Sequence, residues 1–284
     1  MVDRLGARTV VVTGLGCVSP LAIGTDATWS RILAGEGGVV AIDRFDTDGF
    51  PVRIAAQAPG FDASNYFEPK EARRTDKYIQ YAVAASLEAV AHAGLQIEDR
   101  AERVGVIIGT AMGGVETFED GIRTLVTKGP KRVSPFFIPM MLPDMASGIV
   151  SIRLGTRGPN LGTVSACASA AHAIGEGAEM IRRGTVDVVL AGGSEAAITP
   201  SGIAGFAAAG ALSTRNDDPA HASRPFDNER DGFVLGEGAA ILVLETLDSA
   251  ISRGATPLAV VSGYGSTADA NHIVQPAPGG EGAV

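Results

Sequence analysis

The chain has 284 residues, of which 45% are hydrophobic and 19% are charged, and this composition is typical of a globular protein with a large core. Its 23 basic and 32 acidic residues give a formal charge of −9, which does not indicate a basic surface for nucleic acid. No apolar run approaches the ~18 residues of a membrane span, and no signal peptide is visible. Two cysteines without a His/Cys cluster indicate neither a disulfide framework nor a metal site. We therefore expect a soluble, cytoplasmic protein that does not bind nucleic acid or a membrane.

Six apolar, β-branched runs are predicted to be strands, with helices between them. Their hydrophobicity is nearly continuous, which is typical of strands covered on both faces. In chain order, the runs are 9–16, 103–110, 160–166, 186–195, 238–245 and 258–266. A helix is predicted from an N-cap at Asp76 to a stop at Gly94. Alternating strands and helices predict an α/β fold with a mixed, mostly parallel sheet.

Two further helices are predicted to be buried, one in residues 140–155 and one after Cys167. Both are rich in small residues, which permit a close approach between helices. A polar, turn-rich insertion follows at 213–233, and its length suggests a functional role.

Two patterns resemble known sites but match them poorly. The segment TGLGCVS follows a strand as a dinucleotide-binding loop would, but Ser19 stands where the third glycine belongs. Cys167, Asn271 and His272 suggest a papain-like set, although the last two are sequence neighbours. His172 lies about 140° around the helix from Cys167, so we expect a structural role for it.

Cys167 is the main candidate for a catalytic residue. It lies between a predicted strand and a predicted helix, where free N–H groups and the positive end of the helix dipole favour a nucleophilic thiolate. The same N–H groups can stabilise an oxyanion on an attacked carbonyl. A buried structural cysteine is the alternative.

Four segments carry a resemblance to a known family: VVVTGLGCVSPLAIG, GPKRVSPFFIPMMLPDMA, GPNLGTVSACASAAHAIGEGAEMIRRG and ALSTRNDDPAHASRPFDNERDGFVLGEGAAILVLE. The chain resembles the β-ketoacyl-acyl-carrier-protein synthases, and among them the type II elongating, KAS II-like condensing enzymes. The resemblance implies a thiolase-like fold built from two similar halves. Residues 1–255 would form the N-terminal half with the nucleophile, and residues 256–284 would begin the C-terminal half.

The resemblance also implies the chemistry of fatty acid biosynthesis. Cys167 would take an acyl chain from acyl carrier protein, and the carbanion from malonyl carrier protein would then attack it, lengthening the chain by two carbons. Such an acyltransferase needs no cofactor or metal, and works as a homodimer with acyl- and malonyl-loaded carrier protein. A polyketide-type ketosynthase and a shortened, non-condensing binding or scaffold subunit are the alternatives.

Other positions match family residues one at a time. Met112 and Phe206 match positions in the acyl pocket, although ordinary core packing also accounts for both. Five basic residues match the surface that meets the acidic carrier protein, although a solvated charge run is the alternative; they are Lys70, Arg73, Arg74, Lys131 and Arg132.

The family's decarboxylation machinery has no match in the sequence. The resemblance places it in a segment H-G-T-x-T, a lysine, a second histidine and a glycine-rich loop, and none of the four histidines lies in such a motif. We therefore expect the chain to be a fragment or partial gene product that does not condense substrates by itself.

Overall fold

The computed structural model describes residues 8–284 and places a six-stranded mixed sheet at the centre of the protein. The strands are β1 (Val10–Val18), β2 (Val40–Ala41), β3 (Ile54–Ala55), β4 (Val104–Gly109), β5 (Asn160–Thr163), β6 (Val188–Glu195), β7 (Gly238–Thr246) and β8 (Ala259–Val260). The helices are α1 (Thr25–Leu33), α2 (Pro69–Ala72), α3 (Lys77–Ala93), α4 (Val115–Lys128), α5 (Phe137–Met141), α6 (Met145–Leu154), α7 (Ser169–Arg182), α8 (Pro200–Ala208) and α9 (Leu247–Ser252). β2 and β3 form a separate two-stranded sheet.

The strand order in the main sheet is β5-β4-β6-β7-β1-β8. β4 pairs in parallel with β5 and β6, whereas β7 is antiparallel to both β6 and β1, and β8 is antiparallel to β1. Four strands, β1, β4, β5 and β6, therefore point in one direction, and the predicted mixed α/β sheet is confirmed. The run predicted at 258–266 forms only the short edge strand β8. This strand follows the predicted boundary between the two halves at residue 256, and that boundary stays a prediction.

Helices cover both faces of the sheet. Val106 and Ile108 of β4 pack in a cluster with α3, whereas Ile107 packs in a second cluster with α7. Successive side chains of a strand point to opposite faces, so α3 and α7 lie on opposite sides of the sheet. This arrangement explains why the strands read as continuous apolar runs rather than alternating ones.

The glycines of the TGLG segment lie inside β1 and bring α3 close to the sheet. A Cβ on Gly14 would lie 2.8 Å from Ala93 Cβ, and a Cβ on Gly16 would lie 2.8 Å from the backbone nitrogen of Ala89. These glycines therefore serve helix–strand packing.

The predicted ends of α3 are confirmed. Asp76 accepts a hydrogen bond from Tyr78 N at 3.3 Å, and Gly94 adopts a left-handed conformation with φ of +58°. Asp76 also accepts bonds from Thr117 N and Thr117 Oγ1, which joins the N-termini of α3 and α4. Burial raises the pKa of this aspartate despite those bonds.

Helix α6 is less buried than its sequence predicts. Ala146, Ser147 and Val150 are fully buried, but Ile152 is 77% exposed. The prediction of a buried helix therefore holds for one face of α6, the face that packs on the sheet and on α3. No helix among residues 8–284 has the length and apolarity needed to cross a bilayer.

The polar insertion before β7 is held by hydrogen bonds within itself and to the segment around β3. Arg224 pairs with Asp227 at 2.8 Å, while Asp231 accepts a bond from Thr214 N at 2.9 Å. Asn216 accepts a bond from Arg53 N at 2.7 Å and donates one to a neighbouring carbonyl. These contacts give the polar residues of the insertion a structural role.

Candidate active site

Cys167 lies in a short 3₁₀ turn, Ala166–Ala168, between the end of β5 and the start of α7, and its side chain is exposed. The carboxyl ends of β4, β5 and β6 meet at this edge because the three strands are parallel. In open α/β sheets, that edge is where ligands bind. The predicted position of Cys167 at a strand–helix junction is therefore confirmed.

The turn that carries Cys167 is strained and closely tied down. Ala166 has φ of +51°, a left-handed value that costs a residue with a side chain ~1–3 kcal/mol. Ser169 Oγ accepts a bond from Ser165 N at 2.9 Å and donates to Ala166 O at 2.7 Å. Thr163 Oγ1 donates to Ser169 O at 2.8 Å. Ser169 is therefore the residue that fixes the turn against the start of α7.

Two glycines let the start of α7 lie directly on the sheet. Gly109 ends β4, and a Cβ there would lie 2.8 Å from Ser169 Cβ and closer still to the Ser169 carbonyl group. Gly193 lies in β6, and a Cβ there would lie 2.7 Å from Ala170 Cβ. Because carbon atoms pack at ~3.5–4.0 Å, a side chain at either position would displace the nucleophile turn.

A cleft of about 570 Å³ lies in front of Cys167. Its wall combines the ends of β1, β4 and β6, the start of β7 and the first turn of α7. The chain's second cysteine, Cys17, lines the same cleft but is partly buried, and this burial raises the pKa of its thiol. A neutral thiol is a poor nucleophile, so the exposed Cys167 is the better candidate of the two.

Glu195 holds the loop that follows β4 at the edge of this cleft. Its Oε2 accepts bonds from Ala111 N at 2.7 Å, Met112 N at 3.2 Å and Thr110 Oγ1 at 3.2 Å. Burial raises the pKa of the carboxyl even though these bonds oppose the change. The backbone of Met112 is thus fixed beside the cleft, but its side chain is not among the lining residues, and its role in an acyl pocket stays a prediction.

Phe206 lies outside this cleft. It belongs to α8 and packs edge-to-face on Phe233, with ring centroids 5.4 Å apart, in a cluster around Ile54 and Ile203. The structure therefore shows ordinary core contacts for Phe206, and its assignment to the acyl pocket stays a prediction.

Sequence reasoning missed Glu237, which lines the cleft with a fully buried carboxylate. Both of its oxygens accept bonds from the Arg44 guanidinium, and Oε1 also accepts from Tyr81 Oη at 2.9 Å and Ala58 N at 2.8 Å. The available signal was the first of two glutamates in the segment GEGAAILVLE, which lies directly before an apolar strand. Such a charge needs a partner when it is buried.

Asn271 and His272, suggested with Cys167 as a papain-like set, lie away from the cleft. Asn271 and His272 are exposed in the segment after β8, where His272 Nδ1 accepts a bond from Gln275 N at 3.1 Å, and neither lines the cleft. His172 contacts Ser165 instead of Cys167.

Within residues 8–284, no group of three or more His, Cys, Asp or Glu side chains could hold a metal ion.

The five basic residues predicted to form a docking surface are all exposed. Arg73 and Arg132 line one groove, and Arg74 stacks over the Phe136 ring at 4.3 Å in a neighbouring groove. Lys70 belongs to α2, and Lys131 lies in the turn Pro130–Arg132, so each flanks one of these arginines in the chain.

A model of the β-ketoacyl synthase N-terminal domain matches residues 7–250. The chain belongs to the β-ketoacyl synthase family. It is 51% identical over 276 residues to 3-oxoacyl-[acyl-carrier-protein] synthase 2 of Staphylococcus aureus strain N315, covering 97% of this chain and 66% of that protein. It is 47% identical over 279 residues to the synthase of the same name from Vibrio cholerae, covering 98% of this chain and 67% of that protein. The chain thus spans about two thirds of the length of these relatives.

Solved ketosynthase structures share the fold. A β-ketoacyl synthase from Burkholderia phymatum superposes with a TM-score of 0.86 and 36% identity, covering 95% of this chain and 66% of the other. A type II polyketide ketosynthase, solved with its acyl-carrier protein and bound to the hexaketide, gives a TM-score of 0.84 and 33% identity, covering 94% of this chain and 65% of the other. The predicted membership of the ketosynthase family and the predicted thiolase-like α/β fold are therefore confirmed.

Proposed function

We propose that this chain carries the acyl-transfer site of a 3-oxoacyl-[acyl-carrier-protein] synthase that lengthens fatty acyl chains by two carbons. The observation that carries the proposal is the exposed Cys167 in a cleft, at the N-terminal end of α7. The names of the relatives that match most of this chain support the same activity.

The acyl transfer uses the chain's own residues. The Cys167 thiolate attacks the carbonyl carbon of an acyl thioester, and N–H groups at the start of α7 stabilise the oxyanion that forms. The bond between that carbon and the carrier's sulfur then breaks, and the carrier leaves as a thiol with the proton from Cys167. In the condensation step, malonyl carrier protein loses CO2, its carbanion attacks the acyl-Cys167 thioester, and the Cys167 sulfur leaves.

The test is acylation of the chain by acyl carrier protein, followed by peptide mass spectrometry. We expect one acyl group on Cys167, none on Cys17, and no change in the Cys17→Ser variant. Acylation that survives Cys167→Ala, or that appears on Cys17, would refute the assignment.

We further propose that the exposed basic residues bind the acidic carrier protein, and the structural neighbour solved in complex with its acyl-carrier protein supports this kind of partner. Reversal of Arg73 and Arg132 to Glu should slow acylation by carrier-bound acyl groups and leave acylation by a small thioester unchanged. The effect should shrink at high salt, because exposed charges are screened within ~10 Å at 0.1 M. Arg157→Glu with Arg183→Glu is the control, since both arginines are exposed, outside the two grooves, and carry the same charge change. Equal losses for both substrates would contradict docking through these residues.

We also propose that the whole protein forms a homodimer through the edge strand β5. β5 is the last strand of the sheet, and its neighbourhood exposes Leu161 at 46% and Val164 at 57%. An unpaired apolar edge is a template for pairing with a second chain. Sedimentation of the whole protein as a monomer at micromolar concentration would rule this out.

A polyketide-type ketosynthase is the second candidate, favoured by structural neighbours described as an ishigamide ketosynthase/chain length factor and a type II polyketide ketosynthase. The kind of acyl group that Cys167 accepts distinguishes the two functions. Transfer of saturated acyl chains to Cys167 supports the first, whereas selective transfer of β-ketoacyl chains supports the second. If neither acyl group is accepted, the non-condensing binding or scaffold subunit is the remaining alternative.

A further inference from the structure

His172 is placed to act on the nucleophile turn without touching the nucleophile. It lies in the second turn of α7, and its Nδ1 is 2.6 Å from Ser165 Oγ, two residues before Cys167. On the other side of the ring, Nε2 is 3.4 Å from Ser266 Oγ, and the Tyr264 ring packs edge-to-face with a centroid distance of 6.4 Å. The imidazole is therefore held between the Cys167 turn and the segment after β8.

The bond to Ser165 matters because the turn stores strain. Ala166, directly after Ser165, is left-handed, and a residue with a side chain keeps that conformation only where its neighbours fix it. Ser169 restrains the backbone of the turn from the helix side, through Ser165 N and Ala166 O. His172 restrains the side chain of Ser165, so this residue is held through both its backbone and its side chain.

We propose that His172 is a positioning residue for Cys167, acting through Ser165 to hold the sulfur in its reactive orientation at the start of α7. The inference rests on the proposed function only in taking Cys167 as the acyl acceptor. Either neutral tautomer of the ring preserves the contact, since the hydroxyl of Ser165 can donate to Nδ1 or accept from it. The contact therefore depends on a polar atom at the Nδ1 position rather than on charge.

Two amide variants separate positioning from simple packing. In His172→Asn, an amide atom falls close to the position of Nδ1, whereas in His172→Gln it falls closer to Nε2, away from Ser165. Ser165→Ala removes the same contact from the other side. His92→Gln is the matched control, because His92 is an exposed histidine on α3 whose ring contacts the backbone of Leu15.

The measurement is the rate of alkylation of the 284-residue chain by iodoacetamide, followed separately at each cysteine by peptide mass spectrometry. Cys17 lines the same cleft and reports any general opening of it. We expect His172→Gln and Ser165→Ala to slow alkylation of Cys167 about fivefold, which corresponds to a lost hydrogen bond of ~1 kcal/mol. His172→Asn and His92→Gln should stay within about twofold of the wild type, and Cys17 should be unaffected throughout.

The double variant Ser165→Ala/His172→Gln supplies a further criterion. If both residues act through one contact, the double variant is no slower than either single variant. Additive losses, equal losses in His172→Asn and His172→Gln, or parallel changes at Cys17 would overturn the proposal. If His172→Gln fails to fold, Ser165→Ala decides alone, and a wild-type rate in that variant refutes the inference. Alkylation needs no carrier protein. A wild-type chain that is alkylated at Cys167 but never acylated would therefore refute the proposed function without affecting the test of His172.

Discussion

Replacing Gly109 with Ala tests whether the close packing of α7 on the sheet positions Cys167. The new methyl carbon would lie 2.8 Å from Ser169 Cβ and closer still to the Ser169 carbonyl, whereas such atoms pack at ~3.5–4.0 Å. The start of α7 must therefore retreat by about 1 Å. Overpacking of this kind costs ~1–3 kcal/mol, and the hydrogen bonds of Ser169 would weaken as well. We expect the free energy of unfolding to fall by ~2–4 kcal/mol.

The effect of Gly109→Ala on reactivity should be larger than its effect on folding. A misplacement of about 1 Å can cost ~100-fold in rate, because the sulfur and the helix N–H groups must be aligned together. Acylation of Cys167 by a small thioester measures the rate, and urea unfolding measures the stability. Gly205→Ala is the control, since Gly205 lies exposed in α8 with no atom within 4 Å of its added Cβ. If Gly109→Ala is acylated as fast as Gly205→Ala, close packing on the sheet does not position Cys167.

Three further predictions concern charge and burial. Arg44→Leu should lower the free energy of unfolding by ~3–5 kcal/mol in urea titrations, because it leaves the buried Glu237 carboxylate without its cationic partner. Tyr81→Phe removes one hydrogen bond to the same carboxylate and should lower the free energy of unfolding by only ~1 kcal/mol. The Arg103 guanidinium, with Arg8, lowers the pKa of the Asp187 carboxyl. Ionised Asp187 therefore stabilises the fold at a pH above its unfolded-state pKa of ~3.9, and this stabilisation is lost as the pH falls through the lowered pKa. Asp187→Asn should therefore be less stable than the wild type at pH 7 and should approach it as the pH falls through the lowered pKa. A constant gap between the two would contradict the assignment. Thr117→Val should loosen the junction between α3 and α4 and lower the melting temperature, because it removes the hydroxyl bond to the buried Asp76; an unchanged melting temperature would show that the remaining backbone bond suffices.

The strands and the nucleophile were predictable because their signals are local. Continuous apolar runs indicated the sheet, Asp76 and Gly94 gave the bounds of α3, and the turn at Cys167 follows from a strand that meets a helix. The partners of the site were not predictable in this way, because they come from distant parts of the chain. Glu237 meets Arg44 across 193 residues, and no spacing rule connects the two.

The failures also have physical causes. The small residues of α6 predicted a buried helix, but a helix over the edge of a sheet buries one face only, and Ile152 is on the other face. The turn residues of the insertion at 213–233 indicated a loop but not its contacts, which are side-chain bonds to the segment around Pro51 and Arg53. The assignment of Phe206 to an acyl pocket stays a prediction, because a phenylalanine among apolar neighbours fits a pocket and a core equally well.

The origin of the cleft wall has a consequence for how the protein folds. The wall takes residues from β1 at one end of the chain and from β7 at the other, and these strands pair with Val10 opposite Thr246. Closing so long a loop is entropically costly before the contacts within it are made, and such non-local pairing slows folding. The cleft therefore forms late, and a refolding chain exposes Cys17 until β1 joins the sheet. Pulse labelling of Cys17 during refolding would time that step, because the thiol becomes partly buried when β1 joins the sheet.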